Sequence, residues 1–299
     1  MVSIYCVKYF YLYKCVSWNS YKYYKELVGN LMGLYYTNYT NYIFNENKLD
    51  QEFIDIFKER DKLLIFKNSS GPYTVTLGAP HQVPYGLNTI GYDSISPRKG
   101  DTSSGILALG IYRELDNLGV STKLVIKSRA SGLDPNKYFG TDYTKEIFAE
   151  QSQMLFEVHG KSSIKVPLEF SAGQNDLSRV SKLCLFFYEE MREKQNRGII
   201  DSIFSFGLQE KSDKDDAIVF TSRGELISGS MSLPALKSTS LLSAESYGMS
   251  AMHLEAAPEF RFTSSIKNSL TSKGVQLSKM IAVAIYKYFI DESFEWIQK

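Results

Sequence analysis

From residue 61 onward, short apolar runs alternate with longer stretches whose apolar positions recur at helical spacing. KLLIFK (62–67) and YTVTLGA (73–79) flank a Ser-Ser-Gly-Pro turn, and this pattern predicts a hairpin. Residues 80–100 are rich in Gly, Pro, Ser and Asn and read as a loop. Residues 102–118 read as a helix with Ile106, Leu107, Ile111 and Leu115 on one face, ended by Gly119. Strands are predicted at 122–128, 153–159, 217–221 and 247–255, and helices at 142–151, 176–196 and 274–297. The last helix carries Val275, Leu277, Ile281, Ala282, Ile285 and Phe289. Strands alternating with helices predict an α/β fold: a single domain over 61–299 with a mixed, largely parallel sheet flanked by helices. Residues 1–60 read as a Tyr-rich N-terminal extension, with helical spacing over 48–60.

Composition changes this picture little. The 299 residues suffice for a sizeable core. The net charge of +1 supplies no field for nucleic acid or an anionic membrane, so neither is expected as a partner. Lys8 and Lys14 interrupt any secretory apolar segment, and no apolar run reaches the roughly 18 residues of a membrane span. Three cysteines, Cys6, Cys15 and Cys184, argue against a disulfide framework and for a reducing, cytoplasmic setting. The sequons at Asn38 and Asn68 therefore carry low weight. A homo-oligomer is compatible with this composition.

Histidine is where the chemistry concentrates. There are three, and each lies at or near the end of an apolar run: His81 closes TVTLGAPH, His159 closes QMLFEVH, and His253 leads into LEAAPEFR. Ligands of mixed sheets collect at the carboxyl ends of strands, where His81, Arg129, His159 and Glu255 fall. Strand-end histidines with a carboxylate are a donor set for a catalytic zinc. Each residue also has a structural reading. His81 suits a metal ligand or a loop hydrogen bond. Asp101 suits a ligand or a helix N-cap, and Asp93 is a second carboxylate in the same loop. Glu157 shares a strand face with His159, as an orienting carboxylate or a buried ion-pair member. Glu255 suits a desolvated general base or a salt bridge with Arg261, with Glu259 as the alternative base. His253, two residues from Glu255, approaches the site or packs beneath it.

Taken in order, GAPH (78–81), GDTSSGILALGIYREL (100–115), SRASGLDPNK (128–137), LFEVHG (155–160) and HLEAAPEFR (253–261) resemble the N-formylglutamate amidohydrolase family, within the zinc-carboxypeptidase-like superfamily. The resemblance spans 62–299 through short motifs. It implies a phosphorylase/hydrolase-like fold and a Zn2+ cofactor held by His81, Asp101 and His159, with the fourth position open to water. It implies Glu255 as the base that takes the water proton and hands it to the leaving amine. Arg129 would polarise the scissile carbonyl or bind a substrate carboxylate, and Asn136 with Lys137 would grip that carboxylate. Two departures are Gln82, where the family often has Gly, and Lys137, where it has Arg. Lysine is a point charge, not a bidentate fork, so another N-acyl amino acid, peptide or amide is expected rather than formylglutamate. The partner implied is thus a small molecule or peptide bearing a carboxylate. The alternative is a non-catalytic binding protein that keeps the hydrolase fold, a reading that Gln82 and Lys137 favour.

Overall fold

The computed structural model describes residues 62–83, 100–128, 134–150, 152–161, 168–172, 177–196, 207–210, 217–221, 239–262 and 270–297. All belong to a compact unit, Asp50–Lys299. The expected extension over 1–60, with its helical stretch at 48–60, lies outside the described residues, as do Asp93 and Arg129.

Nine described strands form one mixed sheet: β1 (Lys62–Lys67), β2 (Tyr73–Val83), β3 (Asp101–Thr102), β4 (Thr122–Ser128), β5 (Ser152–Gly160), β6 (Leu168–Ala172), β7 (Gly207–Glu210), β8 (Ala217–Thr221) and β9 (Ser250–Ala256). Their order is β1-β4-β2-β5-β9-β6-β8-β7, with β3 added to β2. The centre, β4-β2-β5-β9, is parallel throughout, and β1, β6 and β7 run the other way. The expected mixed, largely parallel sheet is what forms.

The hairpin is a correction. β1 pairs antiparallel with β4, not with β2. β2 is occupied on both edges by parallel partners, and its positions from Val75 to Val83 are all buried. Such a continuous buried run belongs at the centre of a parallel sheet. β1, with Ile65 42% exposed, stands at the edge.

Helices α1 (Ser104–Asn117), α2 (Asp142–Phe148), α3 (Leu177–Asn196), α4 (Thr239–Ser246), α5 (Pro258–Arg261) and α6 (Ser272–Ile297) cover both faces. Gly105 brings α1 against Ile126 of β4. The adjacent residue, Val125, points the other way, into a cluster with Tyr143 and Ile147 of α2, Leu155, and Leu241 and Ala244 of α4. Alternate residues of a strand address opposite faces, so α1 and the pair α2/α4 sit on opposite sides. α6 lies across both α1 and α3. Full burial of a Leu, Ile or Phe contributes about 1.5–3 kcal/mol, and such residues dominate both layers. Among the described residues no helix is long and apolar enough to cross a membrane.

The connections also fix where a site belongs. The chain leaves β2 for β4 on one side, then returns across β2 to β5 on the other. The order therefore reverses between β2 and β5, and at that point the crevice beyond the strand ends is the expected binding place.

Candidate metal centre

His81 and His159 stand at the carboxyl ends of the two strands that bracket this reversal. Their rings meet edge to face, with centroids 5.1 Å apart. Simple alternation would put His81 on the face of Leu77 and Ala79. An irregularity between Ala79 and Gln82 shifts the β2 register against β4 by one residue. Pro80, which has no N–H for a ladder, lies within it, and bulges of this kind re-aim side chains next to functional sites. Asp101 arrives from β3, a two-residue strand paired to Gln82 and Val83.

The Asp101 carboxylate accepts a hydrogen bond from His159 Nδ1 at 3.1 Å, and His81 Nδ1 lies 3.5 Å from the same oxygen. Asp101 is therefore not the cap of α1. The N-cap is Ser103, with φ 60° and no side-chain bond to the helix. Gln82 serves instead, its Oε1 accepting from the Gly105 amide at 2.5 Å. Gln82 thus has a structural use: it holds the first turn of α1 beside β3.

One donor atom each from His81, Asp101 and His159 fall within 4.8 Å of one another, and all three side chains are buried. Two imidazoles and a carboxylate from three separate elements match the three-ligand set of a catalytic zinc. Electrostatics agree. Burial opposes ionisation of Asp101, yet the bonds from His159 and His81 hold its carboxyl well below the usual range. Burial also disfavours a charged His159, but Asp101 and then Glu157 overcome it and raise the imidazole to about 9. A cation bound by the same atoms would compete with the proton on His159.

Both imidazoles are held from behind. His81 Nε2 donates to Asp134 Oδ1 at 2.9 Å, and Asp134 is fully buried. The same oxygen accepts from the Asn136 amide, which fixes the Asp-Pro-Asn turn. His159 Nε2 lies 3.4 Å from Glu157 Oε2, and Glu157 Oε1 accepts from Tyr143 at 2.9 Å. Glu157 thus lies against the His159 ring, on the strand face that alternation gives it. Asp134 and Tyr143 were not legible as site residues. The only signal for Asp134 was its place before a Pro-Asn turn.

Glu255 joins the cluster from β9. It is 6% exposed, its neighbour across the ladder is His159, and its Oε1 lies 3.8 Å from His253 Nε2. Glu259 points to other work: it sits on α5, more than a third exposed, paired with Lys273. Arg261, 3% exposed, donates to the carbonyls of Ala256, Thr102 and Lys161. It ties the ends of β9, β3 and β5 together. Asn136 is buried within the Asp134 turn, whereas the Lys137 side chain is exposed.

Among solved structures the chain is similar to a metallo-carboxypeptidase from Burkholderia cenocepacia, at 12% identity and TM-score 0.42, over 80% of this chain and 68% of that one. It is also similar to an N-formylglutamate amidohydrolase from Ralstonia eutropha, at 9% identity and TM-score 0.39, over 76% and 97% of the two chains. An N-acetylmuramyl-L-alanine amidase from Mycobacterium abscessus matches at 11% identity and TM-score 0.36, over 72% and 98%. No protein-family model matches the chain, and no curated protein matches its sequence.

Proposed function

We propose that the chain is a zinc-dependent hydrolase that cleaves an amide bond of a small N-acyl amino acid or peptide. The observation that carries this reading is the buried convergence of His81, Asp101 and His159 within 4.8 Å, with buried Glu255 in register beside His159. His81, Asp101 and His159 would hold the metal. A zinc ion bound there supplies Lewis acidity toward a carbonyl oxygen and toward water.

The remaining work falls to side chains. Glu255 accepts the proton of the attacking water and delivers it to the leaving nitrogen. Its near-complete burial favours the proton-accepting role, because desolvation raises carboxylate basicity. Arg129 polarises the scissile carbonyl or binds the substrate carboxylate. Asn136 and Lys137 engage that carboxylate, Lys137 as a point charge. Asp134 and Glu157 orient the two imidazoles.

The test is metal content and turnover together, with a panel of N-acyl amino acids and short peptides. His159→Ala is expected to lose zinc and activity at once. Glu255→Gln is expected to keep the zinc of the His81–Asp101–His159 set while losing turnover by about 100- to 10,000-fold. A wild-type chain that takes up no zinc overturns the proposal.

A further inference from the structure

A second group of donors adjoins the first. Glu157 and His159 alternate on β5, and His253 and Glu255 alternate on β9. The register sets Glu157 opposite His253 and His159 opposite Glu255. The four side chains make a buried checkerboard of carboxylates and imidazoles. The neighbours of His253 along β9, Ala251, Met252, Leu254 and Ala256, are apolar and buried. An imidazole in such a run is costly unless a polar or charged partner uses it.

His253 takes no part in the set formed by His81, Asp101 and His159. Its ring lies 4.2 Å from that of His159 at an interplanar angle of 35°, and its Nε2 faces Glu255 Oε1. One donor atom each from His159, His253 and Glu255 again fall within 4.8 Å of one another.

We infer that His159, His253 and Glu255 form a second divalent-cation seat, sharing His159 with the first. The inference rests on the metal reading of the first set. An imidazole carries two donor nitrogens on different edges of its ring. His159 belongs to both donor groups, so the two seats would share this residue. Glu255 Oε1 is the carboxylate oxygen that faces His253 Nε2. The donor set, two nitrogens and one carboxylate oxygen, suits zinc.

The test is zinc stoichiometry of the full chain, loaded and then dialysed, read by elemental mass spectrometry with circular dichroism as the check on folding. Wild type is expected to hold about two zinc ions per chain. His253→Gln and, separately, Glu255→Gln are expected to hold about one, and His159→Ala none. A wild type that holds one ion, or a folded His253→Gln variant that holds as many as wild type, overturns the second seat and leaves the first intact. A wild type that holds none overturns both.

Discussion

At the scale of single residues, the cluster depends on what stands behind the two imidazoles. Asp134 fixes the His81 ring by accepting from Nε2, which leaves Nδ1 directed toward Asp101. Carboxylates in this position typically contribute 10- to 100-fold to metal affinity. Asp134→Asn, which cannot accept with a full negative charge, is therefore expected to weaken zinc binding by about that factor while the fold is retained. Competition with a chromophoric chelator measures it, and unchanged affinity would remove Asp134 from the site. The histidines themselves were legible as candidates, because each lies at or near the end of an apolar run, where a hydrocarbon side chain would be the cheaper choice. Asp134 was not, because nothing near it in the chain marks the imidazole 53 positions away that it meets.

At the scale of elements, most of the secondary structure follows from periodicity. The strands at 122–128 and 217–221 have the predicted bounds, and the helices over 102–118, 176–196 and 274–297 form with ends shifted by a few residues. β3, β6, β7, α4 and α5 were not anticipated. β3 is two residues long and exists through its pairing with β2, so no local period encodes it. Helix docking depends on small residues at close approaches. A methyl group on Gly274 would overlap the Phe260 carbonyl, and one on Gly110 would crowd Ser278 where α1 crosses α6. Backbone cannot yield as a flexible side chain does, so Gly274→Ala is expected to cost about 1–3 kcal/mol of stability. Denaturant unfolding would reveal it as a lower midpoint with an unchanged slope.

At the scale of the whole molecule, the proposed ligands of the first seat come from β2, β3 and β5, separated in sequence by up to 78 positions between His81 and His159. A cation that binds only the assembled set stabilises the entire sheet by mass action, by about 4 kcal/mol at a thousandfold excess over Kd. Zinc is thus expected to raise the melting midpoint by roughly 10 °C, and a chelator to reverse it. A midpoint indifferent to zinc would argue against a site built across these strands. By itself the sequence determined the α/β class, the helix and strand periods, and the short roster of polar residues placed at strand ends, since these depend on local spacing and on the cost of burying polar groups. Only the tertiary structure decided which strands are neighbours, that β1 stands at the edge beside β4, and that the irregularity at Pro80 and His81 turns that ring toward His159. It alone brought Asp134 and Tyr143 to the cluster, and it decided between the two readings of His253. Register and crossover order belong to the sheet as a whole, and no stretch of chain contains them.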